Sequence, residues 1–447
     1  MVDFVFTQKR KTESLKMPQQ TNIPIRSRNI EKTKSEIKYR GRTRIVIPVE
    51  RDDYEEMMSG SVEFRSRLDQ IIKEHPELFP AEIQSEYKLH GPLPVSKKMP
   101  EVRMRRIRIS SADGSKENAY TICPPFVMPY MTGYTEDVEK ALLLRVYNVP
   151  SWVLVYIFGR DEMYWDRLER QFGHYSIVGA TVRDPEKLPV DVLADEKHTR
   201  WNGNKIYVAT TVASECVLGA SIALSAGFEG LKEAYGHFKK EARNLVPDYQ
   251  PKTVNIDGWA ATKKAWESLF PAIVTILCFL HSFIKIRDRS RGLKEYYQEI
   301  HQKVWDVYHS SDKSAFKKNI IELKKWAQEA LPAGSGQKAI LKLCEKESEF
   351  LLTFDYPNSY RTSNMIDRHM NRMDRALYSR QYFHGHLMSA EYAIRAWTLF
   401  HNFHPYCPRA EISKQYLSPA HRLNGFVYHE NWLQNLLIST SMGGFRE

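Results

Sequence analysis

Two aspartates stand where carboxylates can do metal chemistry. Asp195 closes the apolar run 188–195, in Leu193-Ala194-Asp195-Glu196-Lys197-His198, and Asp257 closes Thr253-Val254-Asn255-Ile256-Asp257, 62 residues later. Ligands in open α/β sheets collect outside the carboxyl ends of strands. Mg²⁺ is held by one or two carboxylates together with substrate phosphate oxygens, so two acids at neighbouring strand ends suit a divalent ion. A third acid on a following helix would complete a two-metal site, with ions about 3.5–4 Å apart flanking a scissile phosphate. The chemistry is in-line phosphoryl transfer. One ion activates a hydroxyl or water and the other stabilises the leaving oxygen. Strand alternation points Glu196 away from Asp195, and His198 is expected in the loop beyond.

The elements that must position these acids follow in order. Residues 205–214 and 217–224 are β-branched runs, joined to the first strand by an Asn202-Gly203 hairpin turn. Residues 229–245 and 260–269 have helical spacing, and 272–279 (AIVTILCF) reads as a buried strand. Antiparallel strands followed by alternating helix and strand predict an α/β fold with a mixed sheet. Residues 283–353 read as wholly helical, 361–403 as a long helical region, and 404–447 as an irregular tail.

One combination of motifs carries a resemblance. It runs from strand-Asp195 through hairpin strands, a helix, Asp257-Gly258, a second helix and Leu269-Phe270-Pro271 to Cys278-Phe279-Leu280-His281. After a helical stretch comes Thr362-Ser363-Asn364-Met365-Ile366-Asp367-Arg368-His369-Met370-Asn371. This resembles the Mutator-like group of DD(E/D) transposases of the bacterial insertion-sequence type, over roughly residues 190–400. The resemblance implies an RNase H-like core in two parts (188–282 and 356–403) around an all-helical insertion (283–355). It implies a catalytic and metal-binding triad of Asp195, Asp257 and Asp367 with two Mg²⁺ or Mn²⁺ ions. It also implies double-stranded DNA partners (terminal inverted repeats and target DNA) and a dimer or larger homo-oligomer. The third position is usually Glu in that group. Asp367 is one methylene shorter, and Asp374 on the same helix face and Asp355 are the alternatives. Cys278 and His281 are expected to support the strand end rather than to bind zinc, because one Cys and one His make half a tetrahedral set.

Charge and composition agree with a nucleic-acid partner. The 447 residues are 42% hydrophobic and 27% charged, which fits a globular chain of several folding units and excludes collagen or wholesale disorder. The net charge of +11 favours a polyanion. Residues 1–49 hold twelve basic and four acidic side chains and read as a disordered basic arm, with Met17 as an alternative start. Residues 50–130 read as an irregular basic region with one helix over 62–75. There, 103–109 alternate basic and apolar residues, like a strand with one wet face. Residues 131–187 hold three short helices with tight turns, a helix-turn-helix-like unit. Thr135 is its expected first cap, and Arg160, Tyr164, Arg167 and Arg170 are offered to a groove. Lys285, Arg287, Arg289, Arg291 and Arg368 are further expected phosphate contacts. Five scattered cysteines argue against a disulfide framework and for a reducing cytoplasm, here nucleoid-associated. No apolar run is long enough to span a membrane. Two rival readings share these motifs: a catalytically inactive, transposase-derived DNA-binding protein, and an RNase H-like nuclease that cuts without joining.

Overall fold

Two sheets organise the chain, and their helices follow from where each sheet has an apolar face to cover. The computed structural model describes residues 36–84, 86–111 and 115–445. Most of the expected N-terminal arm, with Met17, lies outside the described residues.

The first sheet has strand order β1-β4-β3-β2, from β1 (Arg44–Val46), β2 (Tyr87–Pro92), β3 (Arg105–Ser110) and β4 (Glu117–Cys123). The stretch 50–130 is therefore not irregular. Helices α1 (Arg51–Met57) and α2 (Ser61–Glu74) lie in it as well. Alternation along β3 is as expected: Ile107 and Ile109 are buried while Arg106 and Arg108 are exposed. Arg105 departs from it. It is buried over the Phe64 ring and donates to Ser61 Oγ at 3.1 Å.

Three short helices follow, α3 (Thr135–Val146), α4 (Ser151–Phe158) and α5 (Glu162–Arg170). Asn148 (φ 66°) and Gly159 (φ 70°) make the left-handed turns between them. Asp161 caps α5 by accepting from Tyr164 N at 2.8 Å. Thr135 is not a cap. It is the first helical residue, fully buried, behind Tyr134. Past α5 the chain tightens into a 3-10 turn through Gly173 and enters α6 (Ile177–Thr181).

The second sheet has order β7-β6-β5-β8-β9: β5 (Asp191–Trp201), β6 (Asn204–Ala213), β7 (Cys216–Ala223), β8 (Thr253–Ile256) and β9 (Val274–Leu277). Strands β5 to β7 form an antiparallel meander, and β5, β8 and β9 run parallel. Asn202 and Gly203, both at positive φ, close the β5–β6 hairpin. One face of β5 (Val192, Ala194) packs under α7 (Phe228–Leu245) and α8 (Ala260–Leu269). The other face (Leu193) packs under α14 (Asn364–Ser379) and α15 (Leu387–Phe403). Between β9 and α14 lies a helical block with its own core: α9 (Phe279–Arg289), α10 (Tyr297–Tyr308), α11 (Lys313–Ala330), α12 (Ser335–Glu345) and α13 (Glu347–Leu351). The region 361–403 is two helices broken at 380–386, where Gln381 and Tyr382 take positive φ.

Residues 404–445 are not an irregular tail. They contain α16 (Pro419–Asn424) and α17 (Trp432–Ser439). Leu433, Leu436 and Leu437 are fully buried in the core beneath the first sheet and α3–α5. A buried ion pair, Arg395 Nη2 to Glu241 Oε1 at 2.6 Å, ties α15 to α7. No helix among the described residues is long and apolar enough to cross a membrane.

Candidate metal centre

Asp195 is not at a strand end. Strand β5 runs six residues further, paired with β6 as far as Trp201 against Asn204. Its parallel partner β8 stops at Ile256, so the sheet narrows beside Asp195. The register sets Leu193 against Asn255. Continued by two residues, it brings Asp195 level with Asp257, which begins the loop after β8.

Strand alternation decides which acids meet. Asp195 shares a face with Leu193 and looks toward α14, while Glu196 points to α7 and α8, as expected. There Glu196 accepts from Tyr235 OH at 2.8 Å and from Thr262 Oγ1 at 2.7 Å. His198 lies within β5, not in a loop, and its ring packs edge-on to Tyr207 and Trp259.

Asp367 comes from the first turn of α14, where the helix dipole favours a carboxylate. Ser363 Oγ donates to Asp367 Oδ2 at 2.7 Å and stands 3.4 Å from His281 Nδ1. Cys278, buried at the N-terminus of α9, accepts from Ser363 N at 3.2 Å. The Cys-x-x-His turn and the start of α14 are therefore laced together through Ser363, a residue whose part the sequence reading did not assign. Its hydroxyl four residues before Asp367 was the available signal.

One donor atom each from Asp195, His281 and Asp367 lie within 4.8 Å of one another, and all three residues are half-buried. It is the one such group of three found among the described residues. A divalent ion bonded at about 2.1 Å would hold opposite donors about 4.2 Å apart. The trio's donors, no more than 4.8 Å apart, are within side-chain reach of one shared ion. Asp257 does not belong to the trio. Its Oδ1 accepts from Trp259 N at 2.8 Å, and its charge acts on Asp195. Gly258 after it is at φ 90°, and a Cβ there would meet Leu277 Cδ1 at 2.7 Å.

The acids favour positive charge between them, and without a metal His281 supplies it. Burial pushes the Asp195 carboxyl up to about 6, with Asp257 and Asp367 adding to it and the Glu196 N–H and His281 opposing it. Glu196 is raised to about 7, mainly by burial. His281 is raised to about 9, first by its hydrogen bond with Cys278 and then by Asp195 and Asp367.

The alternative third acids are engaged elsewhere. Asp374 pairs with Lys197 at 2.9 Å, and Asp355 with Lys313 at 2.6 Å. His401 and His404 are buried in a separate cluster, where His401 Nε2 lies 2.7 Å from His369 Nδ1.

The expected DNA contacts divide. Lys285 and Arg289 are exposed on α9. Arg287 and Arg291 both bond Asp288. Arg368 is held by Glu215 at 2.6 Å. On α5, Arg167 is exposed and Arg170 Nε donates to Asp166 O, while Arg160, in the turn before it, lies over the Tyr164 ring. Tyr164 is turned inward, half-buried with its hydroxyl on Thr132 O. The outer face of α4 is apolar instead, with Trp152, Tyr156 and Ile157 exposed.

No protein-family model matches this chain, and no curated protein matches it.

Proposed function

We propose that this chain is a DNA transposase with an RNase H-like core, resembling the Mutator-like DD(E/D) group, that cleaves phosphodiesters at transposon ends and joins the freed 3′-hydroxyl to target DNA. The observation that carries the reading is that Asp195 and Asp367, far apart in sequence, converge beside Asp257 where the second sheet narrows. The strand order β7-β6-β5-β8-β9, with three antiparallel strands continued by two parallel ones, supports the RNase H-like assignment.

In this reading Asp195, Asp257 and Asp367 hold divalent ions, Mg²⁺ or Mn²⁺. When bound, these supply activation of the attacking hydroxyl and charge stabilisation at the leaving oxygen. Asp195, on the strand that pairs with β8 and facing α14, is the acid that Asp257 and Asp367 flank in this reading. Ser363 orients the Asp367 carboxylate. Lys285 and Arg289, exposed on α9, which follows β9, hold DNA phosphates in this reading. Helices α3–α5 recognise the ends through Arg160 and Arg167. Two copies are needed to bring two ends together.

The test is strand transfer with Mg²⁺ or Mn²⁺ on DNA carrying the element's own ends, comparing wild type with Asp195→Asn, Asp257→Asn and Asp367→Asn. Loss of joining in all three with DNA binding retained supports the proposal. Cleaved but never joined product points to a nuclease. Binding of ends without cleavage under either metal points to an inactive DNA-binding descendant.

A further inference from the structure

We infer that His281 is itself a metal ligand, and that the site it forms with Asp195 and Asp367 takes a first-row transition dication, Mn²⁺ ahead of Mg²⁺. This rests on the proposed metal-dependent function and changes the donor set from carboxylates alone to two carboxylates and an imidazole.

Three observations carry it. The first is convergence: the trio comes from the middle of β5, the first turn of α9 and the first turn of α14, so no local sequence feature brings it together. The second is support. A ligating histidine commonly has its other ring nitrogen fixed by an outer partner. Ser363 Oγ stands 3.4 Å from His281 Nδ1 and also bonds Asp367, so a single hydroxyl orients two of the three donors. Cys278 in turn holds the Ser363 backbone. The third is the position of Asp257. The trio does not include it, so the closest-set donors include a nitrogen in place of the third carboxylate.

The choice of ion follows from donor chemistry. Mg²⁺ prefers an all-oxygen octahedron and keeps its waters. An imidazole nitrogen favours first-row transition ions, and affinity rises from Mn²⁺ along the series toward Cu²⁺. Replacing one oxygen donor by nitrogen therefore moves the site away from Mg²⁺.

Mn²⁺ binding to the full chain, read by electron paramagnetic resonance, tests this without relying on activity. Wild type is expected to bind Mn²⁺ at least about tenfold more tightly than Mg²⁺ in competition. His281→Ala is expected to weaken Mn²⁺ about 10–100-fold while changing Mg²⁺ little. Bound Mn²⁺ should show nitrogen coupling that converts to the ¹⁵N pattern when histidine is ¹⁵N-labelled. This last measurement uses wild-type protein, so it stands even where a variant fails to fold. Mn²⁺ bound without nitrogen coupling, yet lost in Asp195→Asn, overturns the histidine ligand and leaves the carboxylate site intact. Absence of Mn²⁺ binding in wild type overturns both.

Discussion

Lys197 Nζ holds Asp374 Oδ1 at 2.9 Å, two residues beyond Asp195 on β5 and two helical turns beyond Asp367 on α14. Strand and helix thus run side by side, matched at two levels: acid with acid at the sheet's narrow end, base with acid further on. Asp374 is occupied at the second level. We expect Asp374→Asn to leave metal-dependent joining within about twofold and to cost at most about 1 kcal/mol, since the pair is half-exposed. Asp367→Asn should lower joining by about 100-fold or more. Strand-transfer rates on the two variants check this.

Ser363 is the link between the Cys278–His281 turn and Asp367. Removing its hydroxyl leaves the carboxylate free to rotate. Ser363→Ala should lose about 1 kcal/mol of stability, measured by denaturant unfolding. It should also weaken metal binding by about 10-fold. Ser363→Thr keeps the hydroxyl and should recover most of the binding.

Glu196, on the face of β5 away from α14, supplies a pH signature of its own, its pKa raised chiefly by burial and further by Asp195 and Asp257. Its folded value, about 7, lies above that of an ordinary glutamate because burial penalises the charge. The native state therefore binds the proton more tightly than the unfolded chain. Its contribution is fully present below about pH 4.5 and is lost as pH rises through about 7. The lost amount is on the order of 3 kcal/mol. Glu196→Gln keeps an oxygen for Tyr235 and Thr262, so its unfolding free energy should fall less over pH 4.5–8 than that of wild type.

Glu241 is the buried hub between the two sheets' surroundings. It accepts from Ile177 N at 2.6 Å, from Val178 N at 3.1 Å and from Tyr39 OH at 2.9 Å, besides pairing Arg395. Truncation leaves Arg395, only 1% exposed, without its counter-charge. Glu241→Ala should cost about 3–5 kcal/mol, read from denaturant midpoints. Arg395→Met, which removes the other charge, should recover part of that in the double variant.

Much of the second sheet was legible because its signals are local. The β-branched runs became β6 and β7, the Asn202-Gly203 turn closed the hairpin, and α8 has its expected bounds, 260–269. Asp195 was misplaced to a strand end because the residues after it, Glu196 to Arg200, are mostly polar. They remain in a strand because β6 pairs with all of them. Of the first sheet only β3 was read, for the opposite reason. Strand β1 is three residues long and pairs with β4, more than seventy residues away, so only pairing distant in sequence defines it. Convergence of His281 with Asp195 and Asp367 was beyond the sequence, since spacing along a chain does not report which helix starts face one strand. The Cys278–His281 motif showed only that the two are close to each other.

The depth at which α17 is buried has a consequence for biosynthesis. The core under the first sheet takes side chains from Ile45 through Ala180 and again from Ala396 through Met442. A chain emerging from the ribosome exposes the early half of that core long before the late half exists. The second sheet and the helical block, built mainly from residues between, can close first. The N-terminal strands and α3–α5 then wait, with apolar surface uncovered, for Leu433, Leu436 and Leu437 to arrive. Closure of the core around residues 45–180 is thereby tied to synthesis of residues 396–442.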